Sequence, residues 1–276
     1  MPSRDEDPVS EHQSRVQATW FGGVPRVMFV HAHPDDETIS SGGTLAALSE
    51  AGLEPLLVTL TRGEQGEVTP GPFAALQGTE DLAPHRQNEL ATALAMLGVE
   101  RHVFLGVPPA RAEGLPPTIY EDSGMVWGAD GRATAAPDSS ADALTRVPVA
   151  EALNDLIAAA ATAGAGAIVS YDDDGGYGHP DHVFAHRLAR AVAHGLEIPF
   201  WVIVTGADGE DPDSLDQARD DSAIERHDVS PWFDRKVAAL RAHGTQLSVD
   251  GEEIVHVGGQ RQPIDRFEVF RRMPQL

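Results

Sequence analysis

The feature that most constrains this chain is residues 26–37, RVMFVHAHPDDE, where an apolar run stops at a cluster of side chains able to ligate metal or move protons. Val27-Met28-Phe29-Val30 is short, β-branched and aromatic, and Pro34 closes it. That pattern suits a central strand of a parallel sheet better than a helix. His33 and Asp36 then sit at the carboxyl end of the strand, the edge at which open α/β sheets bind ligands.

The residues downstream alternate between the two periodicities. A helix around 44–48 ends at Gly52, a strand covers 55–61, a helix covers 86–97 and a strand covers 102–105. The Ala-rich segment 149–163 reads as a helix, 167–171 as a buried strand, 200–204 as another strand and 233–243 as a helix. Alternation of this kind predicts an α/β fold with a doubly wound, mostly parallel, Rossmann-like sheet and helices on both faces. Residues 253–257 and 267–270 are expected as a small peripheral C-terminal β element. Residues 1–24 are poor in apolar side chains and read as a mobile arm, with Trp20-Phe21 able to dock, and 25–276 as one domain. Within it, 106–147 is a proline-bearing insert without periodicity, of the kind that forms lids or substrate walls, and 208–221 is an acidic loop.

Composition narrows the chemistry. With no Cys among 276 residues, thiolate zinc sites and Cys nucleophiles are excluded, so a metal here must be held by His, Asp or Glu. Lys and Arg total 20 against 43 Asp and Glu, a net charge of −23, which argues against nucleic-acid or anionic-membrane partners. No apolar run reaches membrane-spanning length and the N-terminus has no signal-peptide core, so the expected location is cytoplasmic.

A second cluster follows the strand at 167–171: Asp172-Asp173-Asp174-Gly175-Gly176-Tyr177-Gly178-His179-Pro180-Asp181-His182. If both strands lie in one sheet, His33, Asp36 and His182 converge, and two imidazoles with one carboxylate suit Zn²⁺ or Fe²⁺ with open positions for water and substrate. Either His-Pro-Asp alone is equally a turn with a helix-capping Asp. The loop 62–67 brings Glu64 and Glu67 toward the first corner. His186 reads as an ordinary helix residue, 172–174 as a solvated loop and His243 as a helix-end histidine. Ser40-Ser41-Gly42 lacks the Gly-x-Ser-x-Gly elbow of a serine hydrolase.

The pair AHPDDE (32–37) and GGYGHPDH (175–182) resembles the PIG-L/LmbE-like family of metal-dependent N-deacetylases. Residues 61–68, 122–125 and 177–179 resemble its actinobacterial mycothiol branch, which deacetylates N-acetylglucosaminyl-inositol, and 236–246 also looks like the family. Arg62 and Gln65 depart from the branch pattern, and the C-terminal region is short for it. The resemblance implies one Zn²⁺ per subunit, with Fe²⁺ possible, on His33, Asp36 and His182, and Asp35 as general base. It also implies His179 as donor to the oxyanion, oriented by Asp181, and Tyr177 as a polariser of the carbonyl. Arg86, read as opening its helix, is implied with Glu67 and Asp122 as a substrate contact; an ion pair of Arg86 with Glu89 is the ordinary alternative. The expected substrate is a small N-acetylated amino sugar, with N-acetylglucosaminyl-inositol leading. An amidase of mycothiol conjugates, a deacetylase of a glycosylated natural product, and a non-catalytic metal- or sugar-binding module are the alternatives. Asp35 argues against the last, because a binder needs ligands but no base.

Overall fold

The protein is described here from a computed structural model covering residues 17, 19–128, 133–205 and 224–275. The first strand forms as β1 (Val27–His31), buried throughout. Alternation sends Met28 and Val30 to one face and Val27 and Phe29 to the other, so each face acquires its own apolar core. Helices α1 (Asp36–Glu50) and α2 (Leu82–Leu97) cover the Phe29 face. Helices α3 (Val149–Ala163) and α4 (Pro180–Gly195) cover the Met28 face. A fifth, α5 (Phe233–Ala242), packs on α1 and α2.

The remaining strands, in chain order, are β2 (Leu56–Thr59), β3 (Arg101–Phe104), a short pair β4 (Met125–Trp127) and β5 (Ala133–Ala135), β6 (Ala167–Ser170) and β7 (Phe200–Ile203). They are followed by β8 (Ile224–Asp228), β9 (Leu247–Asp250), β10 (Glu253–His256), β11 (Arg261–Pro263) and β12 (Phe267–Arg272). The main sheet runs β3-β2-β1-β6-β7-β12-β8, parallel from β3 to β7 and antiparallel at β12 and β8. Strand order reverses between β1 and β6. The carboxyl ends of these two neighbours therefore flank a topological switch point, the crevice where such sheets bind ligands.

The expected doubly wound sheet is present, with three departures. Helix α1 begins directly at Asp36 and runs through Gly42-Gly43; Gly43 serves packing there and not a turn, since a Cβ on it would lie 2.4 Å from the Val229 side chain. Helix α2 begins at Leu82, with Pro84 tolerated in its first turn, so Arg86 falls in the second turn and does not open the helix. Residues 267–270 are not peripheral: β12 inserts between β7 and β8, with Phe270 fully buried. The peripheral element is the separate β9-β10-β11 sheet, whose Leu247 and Ile254 pack on Val237 and Leu240 of α5.

Trp20 and Phe21 dock on the domain, Trp20 stacking on His227 at 3.9 Å and Phe21 meeting Phe29, Trp201 and Phe270 edge-on. The earlier part of the arm and the acidic loop 208–221 lie outside the described residues. Arg111 and Tyr120 of the insert form a buried hydrogen-bonded knot with Asp155 of α3.

Candidate active site

Chain geometry alone brings the two His-Pro-Asp clusters together. β1 delivers His33 and Asp36 at its carboxyl end, and β6 delivers the loop leading to His182 on α4. That loop passes so close to α4 that a Cβ on Gly175, at φ 67°, would lie 2.9 Å from the His182 side chain and from the Val183 amide.

His33 Nδ1, Asp36 Oδ2 and His182 Nε2 form a near-equilateral triangle with sides of 3.2, 3.3 and 3.3 Å. Ligands about 2.0–2.1 Å from a tetrahedral ion stand about 3.3–3.4 Å apart, so the triangle matches one face of such a site. The second nitrogen of each imidazole is already engaged. His33 Nε2 lies 3.2 Å from Asp181 Oδ2, and His182 Nδ1 lies 3.2 Å from the Gly175 carbonyl. Each of these acceptors requires a proton on the nitrogen facing it, which leaves a lone pair on His33 Nδ1 and on His182 Nε2, both aimed into the triangle. The residues present therefore fit a divalent cation.

Asp36 Oδ2 also accepts from the Tyr171 hydroxyl at 2.7 Å and from the His33 amide at 2.9 Å. Tyr171 in turn accepts from the Ala32 amide at 2.7 Å and stacks on His182 at 4.0 Å. Burial opposes ionisation of Asp36, but His182 and His33 hold its carboxyl well below the usual carboxylate range. Burial likewise disfavours charge on His33, and the Asp122, Asp181 and Asp36 carboxylates outweigh it and raise its pKa, so a cation binding in the triangle displaces the Nδ1 proton to reach that lone pair.

His33, His179 and His182 offer nitrogens within 4.8 Å of one another, so His179 borders the same space. Its Nδ1 accepts from the Asp181 amide at 3.2 Å, which puts its proton on Nε2. Burial, with the neighbouring His33 and His182, lowers its pKa to about 2, so the ring is a neutral N–H donor. The expectation that Asp181 orients His179 holds only for its backbone amide: its carboxylate Oδ2 lies against His33 and accepts from the Ser123 amide at 2.9 Å. Asp181 thus orients a metal-facing imidazole, while its backbone holds His179. Tyr177 is 53% exposed, with its ring 5.3 Å from His182 and 6.0 Å from His179, at the open side of the site.

Asp35 adjoins the triangle with its side chain in a different direction, beside Arg86 Nη2 at 3.4 Å. Burial pushes its carboxyl up to about 6, Arg86 opposing and Asp36 adding to the rise.

The three expected substrate contacts separate. Glu67 is exposed. Asp122 is buried, its Oδ1 accepting from the Gly124 amide at 2.8 Å and lying 3.6 Å from His33 Nε2. Arg86 is only 3% exposed and donates to the Gly63 and Pro34 carbonyls at 2.9 and 2.6 Å, so it stands behind the site and not at its mouth. Its ordinary alternative partner is also taken elsewhere: the Glu89 carboxylate accepts from the Thr245 amide and hydroxyl. Glu64 accepts from the Asp122 amide at 2.9 Å, joining the 62–67 loop to the insert.

Two groups were missed from the sequence. Tyr171 reads there only as the end of a strand, although its place at the carboxyl edge was a usable signal. His243 stands at the end of α5, as its reading as a helix-end residue has it, but it is fully buried and lies 3.3 Å from Glu37 Oε1, a partner that reading did not supply. The signal was its spacing: Lys236 and Leu240 are buried on α5, and His243, just past the helix end, continues their i, i+4, i+7 series.

The comparisons with known proteins agree with this geometry. A chain of Kribbella flavida called 1D-myo-inositol 2-acetamido-2-deoxy-alpha-D-glucopyranoside deacetylase is 35% identical over 266 residues, covering 82% of this chain and 84% of that one. One of the same name from Kineococcus radiotolerans is 37% identical over 284 residues, covering 89% and 76%. Among solved structures, an A40926 pseudoaglycone deacetylase superposes with a TM-score of 0.57 at 20% identity, over 91% of this chain and 98% of that chain. The N,N'-diacetylchitobiose deacetylase of Pyrococcus horikoshii gives 0.54 at 20% identity, over 87% and 80%; both likenesses speak to the fold. The family model described as PIG-L, GlcNAc-PI de-N-acetylase, matches residues 28–193, a span holding both His-Pro-Asp clusters, and the chain belongs to that family.

Proposed function

We propose that the protein is a metal-dependent N-deacetylase that hydrolyses the acetamide of 1D-myo-inositol 2-acetamido-2-deoxy-alpha-D-glucopyranoside to acetate and the free amine, the reaction named for its relatives and one that belongs to mycothiol biosynthesis. What carries this reading is the meeting of three lone pairs, on His33 Nδ1, Asp36 Oδ2 and His182 Nε2, directly beside a carboxyl group with no role in the triangle. We take the catalytic unit to be one domain over 25–276, working in the cytoplasm with one Zn²⁺ per subunit, Fe²⁺ being the alternative for the same donors. None of the described helices is long and apolar enough to cross a membrane.

A divalent cation held by His33, Asp36 and His182 supplies Lewis acidity toward the acetyl carbonyl and acidifies water toward neutral pH. Asp35 takes the proton of the attacking water as the new C–O bond forms. The same carboxyl then returns that proton to the nitrogen as the C–N bond breaks, so the amine leaves neutral with acetic acid as co-product, which gives its remaining proton to solvent to become acetate. His179 Nε2–H is the donor toward the oxyanion that develops on the carbonyl oxygen, already oriented by the Asp181 amide. Tyr177, exposed between glycines, closes on the acyl group from the open side.

The test is release of acetate and amine from the inositol-bearing substrate by metal-loaded enzyme, with N-acetylglucosamine and a mycothiol conjugate beside it. Strong preference for the first is expected, and faster cleavage of the conjugate would reassign the enzyme as an amidase. Asp35→Ala is expected to keep its metal and lose roughly 10²–10⁴-fold in turnover. Full activity in that variant would remove Asp35 as base.

A further inference from the structure

Asp35 is held at φ 115° and ψ −34°, a backbone conformation that an L-residue keeps only where its surroundings over-determine it. The surroundings do so from both sides. The Pro34 carbonyl, just before it, accepts from Arg86 at 2.6 Å. The Asp35 amide donates to Glu37 Oε2 at 3.0 Å. Glu37 is fully buried, and its other oxygen accepts from the Thr38 hydroxyl at 2.5 Å and lies 3.3 Å from His243 Nε2. His243 is fully buried too, reaches this point from the end of α5, and leaves Nδ1 with no hydrogen-bond partner.

Burying a carboxylate and an imidazole together costs desolvation that a well-packed apolar pair would avoid. Fold stability alone is therefore a poor reason for Glu37 and His243 to be here. Among the described residues, the Glu37 carboxylate makes one hydrogen bond outside its own helix and His243: it accepts from the backbone amide of Asp35.

We propose that Glu37, itself fixed by His243, is a positioning residue that clamps Asp35 by its backbone and so aims the Asp35 carboxylate at the reacting water. This deepens the deacetylase reading and rests on Asp35 being its base. Without the clamp, residue 35 relaxes toward ordinary φ and its side chain swings away. Substrate binding is untouched, so the loss falls on kcat and not on KM.

The test uses the full chain loaded with Zn²⁺. Glu37→Ala and His243→Phe are expected to retain one equivalent of metal and a KM within about threefold of wild type, while kcat drops roughly 100-fold, the scale of a 1 Å misplacement. Glu37→Gln, whose amide oxygen can still accept from Asp35 N–H, is expected to stay within about fivefold of wild type, since the geometry is kept. In the wild type the Asp35 amide should exchange with deuterium about 100-fold more slowly than in an unfolded chain, and lose that protection in Glu37→Ala. The clamp is overturned by wild-type kcat in Glu37→Ala, by Glu37→Gln as impaired as Glu37→Ala, by metal loss in step with activity, or by unprotected exchange at Asp35 in the wild type. The exchange measurement and Glu37→Gln decide the matter even if Glu37→Ala does not fold. An inactive Asp35→Asn beside a fully active Glu37→Ala sinks the clamp alone, whereas an active Asp35→Asn sinks the base assignment whatever the exchange shows.

Discussion

Two side chains at the site carry effects that can be read separately. Asp35 must be deprotonated to accept a proton, and burial favours its neutral form up to about pH 6. The protonated fraction grows as pH falls through that value, so kcat/KM of metal-loaded enzyme should fall about tenfold per pH unit on the acid side. A cation in the neighbouring triangle draws the apparent pKa lower, so the limb belongs at or below 6, and a limb near 8 would point to another group. Tyr171 acts on the proposed metal ligands. Its hydroxyl donates to Asp36 Oδ2 while its ring stacks on His182. Tyr171→Phe keeps the ring and removes the donor, so metal affinity should weaken by about 10- to 100-fold in a chelator competition, with the fold intact.

At the scale of elements, the insert 106–147 has no pattern of its own and is organised by α3. Asp155, fully buried, accepts from Arg111 at 2.8 Å, from the Tyr120 hydroxyl at 2.7 Å and from the Ala112 amide at 2.7 Å. This anchors the segment just before Asp122 and Ser123, which touch the His33 and Asp181 side of the site. Asp155→Ala leaves the buried Arg111 with the partly exposed Glu151 as its remaining carboxylate among the described residues, beside the Pro116 carbonyl and the Tyr120 hydroxyl, and should destabilise the protein by about 3 kcal/mol in urea titration. Protease cleavage within 106–147 should rise in parallel. If stability fell while the insert stayed resistant, the knot would be stabilising α3 without organising the insert.

Across the whole molecule, one buried ion pair joins elements far apart in the chain. Lys236 of α5 donates to Glu268 of β12 at 2.7 Å, and Glu268 also accepts from the Gly43 and Thr44 amides of α1 at 2.9 and 2.8 Å. Removing one partner strands a buried charge, so Lys236→Met is expected to cost about 3–5 kcal/mol of unfolding free energy although it adds apolar surface. An unchanged denaturation midpoint would mean that water or local relaxation takes over Glu268. The same pair explains why the C-terminal strand is central: β12 brings Glu268 to α1 and Phe270 to the core at once.

The sequence by itself determined the sheet class and the two His-Pro-Asp corners, because both are local. Each is an apolar run followed within a few residues by His-Pro-Asp, and in a chain without Cys a metal must be held by His, Asp or Glu of the kind these corners carry. Only the tertiary structure decided which atom of each residue does what. Arg86 and Asp122 carry side chains suited to sugar hydroxyls, yet their bonds are taken up inside the protein, and Asp181 turns its carboxylate to His33 and only its amide to His179. His243 joins Glu37 across most of the chain. Hydrogen-bond partners at that distance depend on which helix packs on which strand, and a side chain's type does not record whether packing will leave it facing a substrate or a backbone carbonyl.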